Sequence, residues 1–224
     1  MQEHFRNEKG RKNRTESPGE DKMGKAELNK QNKRTSLLQA AFDLFVDKGF
    51  HQTTISEISK KSGLAKGTFY LYFRDKYDLR DQLVAKKSGQ LLQEASEHIK
   101  GGHEAHDGFE AYLFAMIDYI LFHLQKNKML LLFISKNLSW GIFKHAVEQQ
   151  DDNAVLETVY ADYLQALEQD HISCKNPELM LFTILELVSA TGYNCIIYEM
   201  PSDLQTYLPY LHDSIHQIIL GFSQ

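Results

Sequence analysis

Residues 54–79, TISEISKKSGLAKGTFYLYFRDKYDL, read as two short helices joined by a tight turn. Thr54 can cap the orphan N–H groups of the first turn, and Glu57, three residues on, can bond back to the cap backbone, which makes a capping box. Ile55 and Ile58 supply an inward stripe at a spacing of three, and Ser59 is small enough for a second helix to cross closely. Gly63 can take the positive φ that ends a helix, so the first helix stops near Ser62. After the turn, Leu64 and Phe69 point back into the same small core. Lys66, Gly67, Thr68, Tyr70 and Tyr72 are left to be divided between solvent and whatever lies beneath. Gly67 lowers helix propensity but allows close backbone approach. Asp75 caps a further helix and puts Lys76 in its first turn, where the helix dipole disfavours a cation unless an anion such as a DNA phosphate is near. Basic, hydroxyl and tyrosine side chains on the second of two such helices make the layout of a major-groove DNA reader.

Ile58 to Lys76, ISKKSGLAKGTFYLYFRDK, resembles the helix-turn-helix signature of the tetracycline-repressor (TetR, or AcrR-like) family of transcriptional regulators. The likeness extends upstream through Leu37–Phe45, LLQAAFDLF, then Lys48-Gly49-Phe50 and Thr53-Thr54-Ile55. It covers about one quarter of the chain, and the combined spacing of Gly-Phe, Thr-Thr, Gly-Leu, Gly-Thr, Tyr-x-Tyr-Phe and Asp-Lys is far more specific than any lone motif. Ser59 and Ser62 stand where the family usually has alanine; both replacements are small. The resemblance places Thr54, Lys66, Gly67, Thr68, Tyr70, Tyr72 and Lys76 at the DNA surface. Lys66 is then the candidate for a guanine edge and Thr68 for a phosphate or a thymine methyl, with Tyr70, Tyr72 and Lys76 on phosphates. Tyr70 and Tyr72 lie two apart and cannot share a helix face, so one of them can equally belong to the core.

Charge divides the chain in the way this reading needs. Residues 1–87 hold 19 Lys+Arg against 12 Asp+Glu, net +7, whereas residues 88–224 hold 6 against 18, net −12. A basic head can meet polyphosphate while an acidic body stays off it. The two cysteines, Cys174 and Cys195, lie in no metal or redox spacing, which suits a reducing compartment. The N-terminal Arg6, Lys9, Arg11, Lys12 and Arg14 precede no apolar run, and the longest purely apolar run, Met129 to Ile134, is too short to span a bilayer. A cytoplasmic protein without a membrane partner is expected.

The expected architecture is all-α: a three-helix DNA-binding head over residues 33–80, joined by a long helix to a helical ligand-binding and dimerisation domain over 81–224. Residues 1–32 are polar, charged and poor in large apolar side chains, and are expected to be disordered alone. They can be an inert tail or a basic arm along DNA, or the chain can truly start at Met23. Beyond Lys76, Leu79, Leu83, Leu91 and Leu92 continue a helix that ends at Gly101-Gly102. Phe109–Leu124 is apolar nearly all round and should be a buried central helix. Helices over Lys128–Leu138, Trp140–Val147 and Asn153–Glu168 follow. Asn176 and Pro177 start a helix from Leu179 to Tyr198, and Ser202 with Gln205 forms a second capping box before the last helix, which Pro209 should kink or delay. Leu179, Phe182, Leu208, Leu211, Ile215, Ile218 and Ile219 are the candidate dimer seam, a four-helix bundle made with a second copy. The resemblance implies the same pairing.

Tyr112, Met116, Tyr119, His123, Phe133, Trp140, Phe143, Tyr160, Tyr163 and Tyr193 have the materials of an apolar ligand cavity, and equally those of plain core. Asp118 and Glu186 interrupt apolar helices, and a ligand or an interface salt bridge would relieve the cost of burying either. A metal reading rests on His98, His103, Glu104, His106 and Asp107, or on His212 and His216, four apart on a helix; the second pair resembles a zincin motif with aspartate in place of the glutamate base. The sequence shows no nucleophile triad, phosphate-binding loop or paired carboxylates, so no enzyme and no cofactor are expected. The reading is a homodimeric regulator that binds a near-palindromic double-stranded DNA operator and is released by a small-molecule effector. Repression is implied by the resemblance. Control by a metal or a protein partner is the alternative, and a helical metalloenzyme the remote one.

Overall fold

The computed structural model of the chain describes residues 18–101, 108–137 and 154–223. Its helices are α1 (Pro18–Lys48), α2 (Ile55–Lys61), α3 (Lys66–Phe69), α4 (Lys76–Gly101), α5 (Phe109–Lys126), α6 (Lys128–Asn137), α7 (Ala154–Gln169), α8 (Pro177–Tyr193) and α9 (Leu204–Phe222), with a π-helical turn, Asn194–Tyr198, continuing α8. No strand occurs among the described residues, so the fold is all-α. The helix expected over Trp140–Val147, with its candidate ligand residues Trp140 and Phe143, lies outside the described residues, as do His103, Glu104, His106 and Asp107.

The head is built by α1, α2, α3 and the first turn of α4. Leu37, Leu38, Ala41 and Phe45 of α1 close over Ile58, Phe69, Phe73 and Leu79, and Phe69 is fully buried. The α2 capping box is present, and Gly63 takes φ +72° just after Ser62 ends the helix. One difference lies upstream. α1 begins at Pro18, inside the segment expected to be disordered, while residues 24–33 are all exposed and burial starts only at Leu37. Good helix formers carry the helix past the last residue that packs.

α4 leaves the head and enters the body, burying Leu83, Val84, Ser88, Leu91, Ala95 and Ile99 on one stripe. α5 buries Leu113, Met116, Ile117, Leu121 and Leu124, and α8 buries Met180, Leu181, Ile184, Val188 and Gly192. A Cβ at Gly192 would stand 2.5 Å from Leu121 Cδ2, so a larger residue there would require the Leu121 side chain to shift. Asn176 caps α8 through Leu179 N–H, with Pro177 at its first position. α8 and its π-helical continuation, Pro177–Tyr198, are long and apolar enough by length and composition to cross a membrane, yet one face is packed into this core.

Two expectations for the last helix are corrected. The cap is Asp203, which accepts from the Thr206 N–H at 3.1 Å, and Ser202 with Gln205 forms no box. Leu211, Ile215 and Ile219, expected in the dimer seam, are between 0 and 2 % exposed and pack inside the protomer. They repeat at four with Leu204 seven before them, which is the stripe the body core claims first. Leu179 is exposed, whereas Phe182, Leu208 and Ile218 are half-buried. Outward on α9 stand Tyr210 and Leu220.

Ser59 is 3 % exposed and its Oγ has no hydrogen-bond partner. An unpaired buried hydroxyl costs free energy that a methyl at the same place does not. Ser59→Ala is expected to raise the unfolding free energy of the head by about 1 kcal/mol, read as a higher denaturation midpoint.

Candidate nucleic-acid interface and effector cavity

Thr54 and Glu57 fix the entry to α2. The Thr54 side chain accepts from the Glu57 N–H at 3.3 Å, and a Glu57 carboxylate oxygen accepts from both the Thr54 N–H and its hydroxyl, at 2.9 and 2.8 Å. Lys48 from the end of α1 donates to the other oxygen. Its hydrogen bond first, and those of Thr54 next, hold the Glu57 carboxyl well down, at about 2 against an ordinary 4.5. Thr54 is thus occupied as a cap and is also exposed.

Beyond the turn, Ala65, Lys66, Gly67, Tyr70 and Leu71 are exposed and Thr68 is half-buried. A Cβ at Gly67 would meet nothing, so the protomer's own packing does not demand glycine there. Tyr70 leans edge-on against the buried Phe69, ring centroids 5.4 Å apart, which aims an otherwise free phenol outward. Tyr72 packs partly on the core beside Phe73, so of the two tyrosines Tyr72 is the one shared with the core. Leu71, 78 % exposed, stands beside them on the same exposed stretch and is not among the candidates read from the sequence.

Lys76 is corrected. Its Nζ donates to the Phe50 and Thr53 carbonyls, both at 2.8 Å, and lies 4.4 Å from the centre of the Phe50 ring. Burial lowers its pKa. The Lys76 charge beside the α4 N-terminus is thus met in the protomer by neutral backbone carbonyls, and Lys76 staples the α1–α2 loop to α4.

The body holds a cavity of about 540 Å³, open to solvent on one side, between α4, α5, α6 and α8. Of the sequence candidates, Glu186 and Tyr193 line it. A smaller hollow of about 320 Å³ holds Tyr112 beside Lys100, Asp162 and Asp170. Lys100 donates to Asp162 at 2.7 Å, which raises the lysine's pKa, and burial raises that of Tyr112. The remaining described candidates make contacts within the fold. Met116 sits in a small core with Ala95 and Ile99, and Tyr119 lies against His98, 4.8 Å between ring centres. His123 approaches Glu94 at 3.9 Å, and Tyr160 stacks on Tyr163, whose hydroxyl donates to the Pro177 carbonyl at 2.9 Å. Phe133 points away from the cavity, into the seam with the head. Ser88 was missed, although it sits on the stripe Val84, Ser88, Leu91, Ala95, where a hydroxyl on an apolar face is a visible signal.

His212 and His216 do not converge. His212 Nε2 meets Asp118 at 2.7 Å and stacks on Phe114, while His216 Nδ1 meets Glu110 at 2.8 Å. Those carboxylates are eight residues apart on α5, about 12 Å along its axis, too far to share one ion. Among the described residues no group of three metal-ligating side chains gathers. Asp118, whose carboxyl is raised by burial and pulled back by His212, is therefore part of a latch between α5 and α9.

Head and body meet through two devices. α4 belongs to both, and Phe133 of α6 lies 5.3 Å edge-on from Phe42 and 6.3 Å stacked from Phe45, both on α1. α6 also lines the cavity through Leu131, Ile134 and Ser135.

Residues 37–83 match the family model described as bacterial regulatory proteins, tetR family. The chain is 38 % identical over 71 residues to the fatty acid metabolism regulator protein of Bacillus subtilis (strain 168), an alignment covering 32 % of this chain and 37 % of that protein. It is 31 % identical over 137 residues to the uncharacterized HTH-type transcriptional regulator YvdT of the same organism, covering 61 % of this chain and 64 % of the relative. The chain thus spans less than two thirds of these two curated relatives. Its fold is that of the transcriptional regulator FadR from Bacillus subtilis, solved in complex with stearoyl-CoA: TM-score 0.54 and 20 % identity, over 81 % of this chain and 96 % of that one.

Two measurements check the head. Glu57 should titrate near 2 by NMR; because its folded value is depressed, its contribution to stability is full above about 4.5 and lost as the pH falls from there toward 2. Lys76→Met should lower head stability by about 2 kcal/mol in a denaturant melt, because two carbonyls lose a charged donor.

Proposed function

We propose that this chain, whose residues 37–83 match the family model of bacterial regulatory proteins of the tetR family, is a ligand-responsive transcriptional repressor acting as a homodimer. The observation that carries this reading is the exposed Lys66–Tyr70 segment on a rigid head whose helix α4 also walls the body cavity. Lys66 reads a base edge, Tyr70 and Thr68 hold the backbone, and Gly67 lets the duplex approach the main chain. Thr54 and Tyr72 lie at the margin of the same surface, and Lys76 acts indirectly, by fixing the loop before α2.

One head touches too few base pairs for useful selectivity, so two heads related by a twofold axis read a near-palindromic operator. The pairing surface is the outward face of α8 and α9: Leu179 and Phe182, with Leu208, Ile218, Tyr210 and Leu220. Leu211, Ile215 and Ile219 support it from beneath. An effector in the cavity bears on α4 and α6 together. Any effector that fits better when those helices have shifted changes the spacing of the heads and lowers operator affinity by that differential binding. Walls made mostly of Leu, Ile and Val favour an apolar effector body. The protein works in the cytoplasm, without a catalytic step.

Anisotropy titrations of the full chain on DNA from its own upstream region test this. Lys66→Ala and Tyr70→Ala should each weaken binding at least about tenfold with an unchanged melting temperature. Unchanged affinity in both variants would end the reading.

A further inference from the structure

The cavity between α4, α5, α6 and α8 carries a specific polarity. Its described lining includes one ionisable acid, Glu186, and no Lys, Arg or His. Glu186 stands on the exposed part of the wall, next to Ser189, Ala190 and Asn194, and within the protomer makes no hydrogen bond or ion pair among the described residues. Deeper in, Ser88 of α4 is 6 % exposed and lines the cavity with its Oγ unpartnered, and Ser135 of α6 likewise has a buried, unpartnered Oγ. Buried hydroxyls without partners are uncommon and costly, and these two lie just behind the cavity wall, one on α4 and one on α6. The body adds to the sign, since residues 88–224 carry a net charge of −12.

We propose that this cavity takes a cationic amphiphile, an apolar body bearing a protonated amine or comparable cation, and rejects anionic lipids such as fatty acids and acyl-CoA thioesters. The inference rests on the effector reading above and names the class of molecule. The apolar body fills the space between the leucine and isoleucine side chains. The ammonium has donors and no acceptor, which matches a site whose polar groups are a carboxylate and hydroxyls. A carboxylate or a thioester carrying phosphates would bring negative charge to Glu186 with no cation among the described lining residues to receive it. The stearoyl-CoA of the FadR complex is such an anion, so the shared fold does not carry over a shared ligand.

Calorimetry on the full chain with dodecylamine, dodecanol, dodecanoate and stearoyl-CoA, below their micellar concentrations, tests this. Dodecylamine should bind at least about tenfold more tightly than dodecanol, and more tightly still than either anion. Glu186→Gln, which keeps the side chain's size and removes its charge, should abolish the preference for dodecylamine over dodecanol while dodecanol binds as before and the chain sediments as the same oligomer. Equal affinities for amine and alcohol, tighter binding of either anion, no binding of any probe, or an undiminished preference in Glu186→Gln would each overturn it. Operator release is read in parallel. Amine preference without any change in operator affinity would uphold the ligand class and count against ligand control of DNA, whereas operator binding with no amine preference would do the reverse.

Discussion

Phe133 packed between Phe42 and Phe45 is the contact through which the body communicates with the head. Burying one phenylalanine at such a seam is worth several kcal/mol, and close-packed aromatic contacts are bistable more than they are deformable. Together with α4, which is shared, it leaves the head little freedom to move independently of α6. On the proposed reading, a small displacement of α4 or α6 at the cavity is carried to the exposed α3 segment, whose position is set from behind by Phe69 and Phe73.

The polar groups divide into those that hold the fold and those with spare capacity. Lys48, Glu57 and Thr54 saturate one another at the entry to α2, Lys76 saturates the loop carbonyls, and Asp118 with His212 and Glu110 with His216 tie α9 to α5. Lys66, Tyr70, Glu186, Ser88 and Ser135 belong to the second group, as do Ser59 in the head core and Tyr112 in the smaller hollow. A charge or hydroxyl without a partner in a well-satisfied structure is the place where a ligand supplies one.

Much of the head was legible in one dimension because its determinants are local. A capping box spans three residues, a C-terminal glycine acts within a turn, and the stripe of Ile58 and Phe69 needs only helical periodicity. Long-range pairing was not legible. Lys76 finds carbonyls more than twenty residues upstream, and His212 finds a carboxylate on α5. The last helix shows the same limit: periodicity identified an apolar stripe, but a stripe does not state whether the protomer or a second copy covers it.

The sequence alone determined the helical class, the basic head on an acidic body, the helix-turn-helix and the side chains that cannot be hidden in so small a core. Those properties follow from composition and from spacings shorter than two turns. Only the tertiary structure decided which apolar face of α9 goes inward, which tyrosine is shared with the core, that the candidate histidines are engaged by separate carboxylates, and where four helices leave a space. Packing decides such matters because each depends on which distant surface arrives first to bury an apolar stripe or satisfy a charge.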